Sequence, residues 1–153
     1  MIFISHRGNL EGKNTELENS EKYILNAISH GFDVEVDVWL IGDELYLGHD
    51  KPQYPTSLKF ILNDRIWAHC KNVEALGFLK QEKFKCFWHQ EDDYALVSNR
   101  MIWVYPGKKL IEKSICVMPE TVNYEIYELR KCTGICTDYP LRYTKLLSEV
   151  QLS

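Results

Sequence analysis

Asp33-Val34-Glu35-Val36-Asp37-Val38 is the stretch whose reading decides the fold. In a strand, residues two apart share a face, so the three acids point one way and the three valines the other. A valine face belongs against helices. A surface strand with exposed acids is the competing reading, and the apolar alternate face counts against it. With the valines outward to helices, Glu35 and Asp37 turn inward together. Two carboxylates so close repel unless a cation or a proton lies between them. A hard divalent ion such as Mg2+ or Ca2+ is the natural partner for such oxygens.

Working outward, short β-branched and aromatic runs alternate with helical or turn segments. The other candidate strands are Ile2–Ser5, Leu45–Gly48, Ile66–Cys70, Lys85–Trp88, Met101–Tyr105, Ser114–Met118 and Gly134–Thr137. Several are apolar on both faces, as in a parallel sheet covered by helices. Helices are expected over Ser20–His30, Leu58–Asn63, Val73–Lys80, Val122–Lys131 and from Pro140 through Val150. Gly31 stops the first of them. The pattern predicts a compact TIM-type (β/α)8 barrel with several shortened or missing helices, over a single domain, 1–153. Such barrels usually take about 250 residues, and the link from Tyr105 to Ser114 is too short for a full crossover. An open α/β sheet with fewer parallel strands is the alternative.

The chain has 153 residues and a net charge of -4. No basic run or stripe is present, which argues against nucleic-acid binding. The apolar stretches are of strand length, so no transmembrane segment is expected. Met1 to His6 reads as a first strand and not as a signal peptide. Of the five cysteines, four lie in apolar runs and read as buried, reduced thiols. Cys132 and Cys136 lack the second pair that a zinc site needs. Reduced thiols and the absence of an export signal predict a cytoplasmic protein. Missing outer helices would expose apolar surface, and hence a homodimer is expected.

Polar residues collect at the carboxyl ends of the candidate strands: His6, then Glu35 and Asp37, then His49, His69 with Lys71, His89 with Gln90, Glu120 and Asp138. In barrels and open α/β sheets alike, that edge carries the active site. Two histidines there, His6 and His49, suit a division into acid and base. Arg7 and Lys71 are the cations available for a phosphate. His89 reads either as a substrate contact or as a structural histidine. Trp88, Trp103 and Tyr105 read either as core packing or as a substrate platform near the barrel mouth.

His6-Arg7-Gly8, Glu18-Asn19-Ser20, Glu35-x-Asp37-Val38, His49-Asp50 and Thr137-Asp138-Tyr139-Pro140 together resemble the glycerophosphodiester phosphodiesterases, within the phosphatidylinositol phospholipase C-like superfamily. The resemblance is concentrated in the first fifty residues. It implies a TIM-type barrel, with His6 and His49 as the acid/base pair and Glu35 and Asp37 holding Mg2+ or Ca2+. It also implies that Arg7 contacts phosphate and that Glu18 and Asn19 help line the site. Where the family places a third acidic metal ligand, followed two residues later by lysine, this chain has His69 and Lys71. Histidine suits softer ions than Ca2+, which leaves the metal's identity open. Only Lys51 to Arg65 lies between the His-Asp motif and the next expected strand, so the family's insertion over the site is absent.

These readings predict a metal-dependent phosphodiester hydrolase acting on a glycerophosphodiester-like substrate, small or polymeric. Water or a neighbouring substrate hydroxyl is the nucleophile, the second route giving a cyclic phosphate. The alternative is a non-catalytic module that binds phosphorylated glycerol or sugar on the same barrel. A sugar-acid lyase or aldolase has less support, because nothing else in the chain speaks for carbon–carbon chemistry.

Overall fold

A computed structural model of the chain describes residues 1–80 and 84–149. The deciding stretch opens strand β2 (Asp33–Ile41), and its parity is as expected. Val34, Val36 and Val38 are fully buried in a cluster with Ile24, Ala27, Ile61, Ala75 and Leu79. Each such valine stabilises the fold by about 2 kcal/mol through removal from water. Glu35 and Asp37 are buried as well, on the opposite face.

β2 lies inside a run of parallel strands. β1 (Ile2–His6) pairs with it on one side and β5 (Ile66–Cys70) on the other. β6 (Cys86–Phe87) follows β5. Beyond β1 come β10 (Gly134–Thr137), β9 (Ser114–Val117) and β8 (Ile102–Val104), all parallel. The sheet curls around an inner cluster that includes Ile4, Trp67, Phe87, Trp103, Ile115, Val117 and Cys136.

Three helices cover β2 and β5 from outside. α1 (Glu21–Ser29) buries Ile24 and Ala27, three apart on one stripe. α2 (Leu58–Ile61) is capped by Ser57, whose side chain accepts from the Phe60 amide. α3 (Val73–Leu79) is capped in the same way by Asn72, which accepts from the Ala75 amide. On the far side, α4 (Ile126–Leu129) and α5 (Pro140–Glu149) cover β8, β9 and β10 through Leu129, Tyr143 and Leu147.

The expected (β/α)8 barrel is not what forms. The sheet is an open, curled half-barrel, and the described residues form five helices, most of them short. Two stretches account for the difference. Leu45–Gly48 was expected as a third parallel strand, but β3 (Glu44–Leu47) runs antiparallel to β2, with Ile41 opposite Glu44. Only Gly42 and Asp43 join them, and so short a turn makes a hairpin and never a parallel crossover. β4 (Tyr54–Thr56) extends that arm. β7 (Tyr94–Leu96) likewise folds back antiparallel on β8, where a barrel would need a helix. Among the described residues no ladder joins β6 to β8, so the barrel does not close.

The helix expected over Val122–Lys131 forms only at Ile126–Leu129, because Val122 is extended and a single turn of 3-10 helix, Pro119–Thr121, precedes it. Val150, the expected end of the last helix, lies outside the described residues.

Gly134 sits between β1 and β9. A Cβ there would stand 2.8 Å from the Ile2 carbonyl oxygen and 2.9 Å from the Ile115 side chain. Overpacking of this kind costs about 1–3 kcal/mol. Gly134→Ala is therefore expected to lower the urea unfolding midpoint by a corresponding amount. An unchanged midpoint would mean that β1 and β9 can move apart freely.

Candidate active site

Strand register assembles the polar groups. His6 lies beside Glu35 on neighbouring strands, and Asp37 lies beside His69. All four belong to the inner face, at the carboxyl end of the parallel run. Above them is a cavity of about 520 Å³ lined by His6, Arg7, Glu35, His49, His69, Lys71, Trp88, His89, Trp103 and Tyr105. Nearly all the residues singled out in the sequence thus meet around one space. Glu18, Asn19 and Asp37 are not on its wall; all three are buried and support residues that are.

Asp37 is the most heavily engaged of the acids. Asn19 donates to its Oδ2 at 2.9 Å and in return accepts from the Asp37 amide at 2.9 Å. Arg7 Nε lies 2.9 Å from the same oxygen. Asp37 Oδ1 faces His69 Nδ1 at 3.1 Å and Lys71 Nζ at 3.5 Å. Burial works against this carboxylate's charge, but His69, Arg7 and Lys71 outweigh it and hold its pKa well below the usual range. Burial also opposes a proton on His69, and Asp37 and Glu35 reverse that, raising its pKa.

These are attractions between charges more than directed bonds. Asp37 Oδ1 and Glu35 Oε2 are buried acceptors with no aligned hydrogen-bond donor. Unpaired acceptors in such a place suit a cation. One donor atom each from Glu35, Asp37 and His69 lies within 4.8 Å of the others, so the trio fits a divalent metal.

His6 is held from the last strand. Its Nδ1 lies 2.8 Å from Asp138 Oδ1, and its Nε2 is 3.8 Å from Glu35 Oε2. Burial lowers the pKa of His6, but Asp138 and Glu35 win and it rises. Asp138 moves the other way, its pKa lowered against burial by the bond to His6. Asn9 donates to both Asp138 and Glu18, at 2.9 Å each, and Glu120 accepts from the Thr137 hydroxyl and the Asp138 amide. Glu18 also lies 3.4 Å from Arg7.

The loop that carries Arg7 is strained. Arg7 and Asn19 have φ of 54° and 63°, and the Asn19 amide donates to the Arg7 carbonyl at 3.1 Å. Left-handed non-glycine residues persist where the surroundings over-determine them, and they cluster at functional sites. Gly8 is required here, since φ is 93° and a Cβ would meet Tyr23 at 2.8 Å.

His49 arrives by a different route from the one expected. It follows β3 of the antiparallel arm, positioned by Gly48 (φ 146°), whose amide bonds to the Asp37 carbonyl. Its side chain is 41% exposed and its Nδ1 lies 2.7 Å from Asp50 Oδ1. On the opposite wall His69 stacks between Phe87 and His89, and His89 packs against Tyr105 at 4.0 Å. Burial, with His69 and Lys71 nearby, pushes His89 down to about 4, so it is neutral at pH 7. Burial pushes the Tyr105 phenol up, so it stays protonated. Trp103 is both core and wall, with its ring 4.6 Å from Phe87.

No known protein family, curated protein or solved structure matches this chain. The likeness to glycerophosphodiester phosphodiesterases rests on the motifs quoted above.

Sequence reasoning placed Asp138 at a strand end without giving it the role of orienting His6, and it passed over Asn9. The Thr137-Asp138 motif held a signal for the first. Asn9 had none, because its partners are Glu18 and Asp138, brought together only by β1 pairing with β10.

The folded His6 pKa is raised, so its stabilisation is complete below about pH 6.5 and is lost as pH rises through the folded value. The contribution of Asp138 is present above about pH 4 and is lost as pH falls through its lowered folded value. Asp138→Asn is expected to move the His6 titration, followed by NMR of the imidazole ring protons, to lower pH. An unmoved midpoint would assign the effect to Glu35 alone.

Proposed function

We propose that this protein is a divalent-metal-dependent phosphodiester hydrolase that acts on a glycerophosphodiester-like substrate, with His6 and His49 as acid and base. One observation carries the reading. A single cavity gathers two histidines and two cations, with Glu35 and His69 of a three-residue metal trio on its wall and Asp37 buried beside them, and these are the groups that phosphodiester cleavage requires.

Each side chain has a task. His6, its pKa raised by Asp138, gives its Nε2 proton to the leaving alkoxide as the P–O bond breaks. His49, with Nδ1–H directed to Asp50, keeps an Nε2 lone pair that takes the proton of the attacking oxygen as the new P–O bond forms. The attacking oxygen belongs to water or to a neighbouring substrate hydroxyl, and the second gives a cyclic phosphate. Arg7 and Lys71 face the phosphate oxygens as their charge grows. A divalent ion held by Glu35, Asp37 and His69 would add Lewis-acid charge compensation when bound. His89 and Tyr105, both uncharged at neutral pH, face the cavity as hydrogen-bonding groups for the alcohol portion.

No helix among the described residues is long and apolar enough to cross a membrane. The five cysteines are free and buried, which supports placing the protein in the reducing cytoplasm. Among the described residues no strand pairs with the outer edge of β7, and Leu96 is 72% and Tyr94 44% exposed there, which supports a homodimer. The second functional reading, a binding module for phosphorylated glycerol or sugar, draws on one fact. Arg7, His69 and Lys71 already compensate Asp37 within the protein.

Hydrolysis of glycerophosphodiesters and of bis(p-nitrophenyl) phosphate, with and without EDTA, separates the two. The expected result is metal-dependent turnover that falls by about 10²–10⁴ in His6→Ala and in His49→Ala, with folding retained. Full activity in either variant would sink the mechanism. Tight binding of glycerol 3-phosphate without turnover in any divalent metal would instead establish the module.

A further inference from the structure

We infer that His69 makes this a centre for a borderline first-row transition ion, of the Fe2+, Co2+ or Zn2+ class, in preference to Mg2+ or Ca2+. The inference rests on the metal trio of the proposed function and deepens it.

The donor geometry comes first. His69 Nδ1 lies 3.1 Å from Asp37 Oδ1 and 3.7 Å from Glu35 Oε1. Two donors each about 2.1 Å from a shared ion stand roughly 3.0 Å apart in octahedral and 3.4 Å apart in tetrahedral geometry. The trio is therefore near ligating distance already. Asp37 Oδ1 and Glu35 Oε2 have no aligned donor, so a cation meets acceptors that are not already spent on directed bonds.

The imidazole is also fixed in place. It stacks on Phe87 with ring centroids 5.0 Å apart and planes 4° apart, and on His89 at 4.6 Å and 19°. Phe87 is buried in the inner core. A ring clamped on both faces keeps its nitrogen in the site whichever ion enters. Mg2+ and Ca2+ are hard ions that favour oxygen donors, and an imidazole nitrogen offers them little. Fe2+, Co2+ and Zn2+ accept one nitrogen with two carboxylates readily.

Almost any nitrogen and oxygen site binds the later ions more tightly, so bare affinity is not diagnostic. The selectivity ratio with and without the nitrogen is. Metal-stripped protein would be titrated calorimetrically with Zn2+ and with Mg2+, and His69→Glu treated in the same way. The expected outcome is a Zn2+/Mg2+ affinity ratio that falls about tenfold or more in the variant. Loading wild type with Co2+ supplies a second readout that needs no variant. The His69 ring protons are expected at strongly paramagnetically shifted positions in the NMR spectrum. An unchanged ratio in a folded His69→Glu protein, or His69 resonances left unshifted by bound Co2+, overturns the inference. Selective Zn2+ binding through His69 with no diester cleaved would uphold this inference and defeat the hydrolase. Cleavage that runs best on Mg2+, with the ratio unmoved, would do the reverse.

Discussion

The charge on Asp37 has no access to water, and much of the site is arranged around keeping it. Taking a carboxylate out of water costs several kcal/mol even after the protein relaxes. Four residues from separate parts of the chain answer that cost: Asn19 and Arg7 from the loops around α1, His69 from β5, and Lys71 just beyond it. The first two sit in left-handed backbone conformations that the chain would not adopt unprompted. Removing one partner of such a buried charge costs about 3–5 kcal/mol, because the remaining charge is left exposed to the low dielectric. Asp37 therefore ties the first loop, the second strand and the fifth strand into one electrostatic unit, and the cavity lies on top of it.

A second unit closes the other side. Asp138 and Glu120 come from the end of the chain, whereas His6, Asn9 and Glu18 come from its beginning. Parallel pairing of β1 with β10 brings the two ends together, so the acid–imidazole pair depends on the most distant strand contact in the fold. Arg7 links the two units through its contacts with Glu18 and Asp37.

How much of this the sequence disclosed follows from range. The alternation in Asp33–Val38 is local, and from it came the inward carboxylates, the outward valines and the strand itself. α1, α2, α3 and α5 announced themselves through caps and apolar spacing. The barrel did not follow, because strand direction and sheet closure are decided by long-range pairing. The Gly42-Asp43 turn was a local clue that Leu45–Gly48 returns antiparallel, but the strand count masked it. At the site, residues at strand ends were legible because the parallel edge aligns them. Asn9 was not, since its role is to bridge two acids that only the folded chain brings within reach.

On the hydrolase reading, the same unit that stabilises Asp37 also constrains catalysis. Lys71 Nζ stands 3.5 Å from Asp37, and Arg7 Nε stands 2.9 Å from it, while both residues line the cavity. A cation that shares Asp37 with them weakens their hold on it by like-charge repulsion and by taking up its lone pairs. Their charge is then directed more fully at an anion in the cavity. An anionic ligand and a cation at Glu35, Asp37 and His69 would thus favour one another, each removing a conflict that the other meets alone. The arrangement that lets Asp37 survive without water is therefore the one that would make its occupancy by a cation consequential for whatever phosphate the cavity receives.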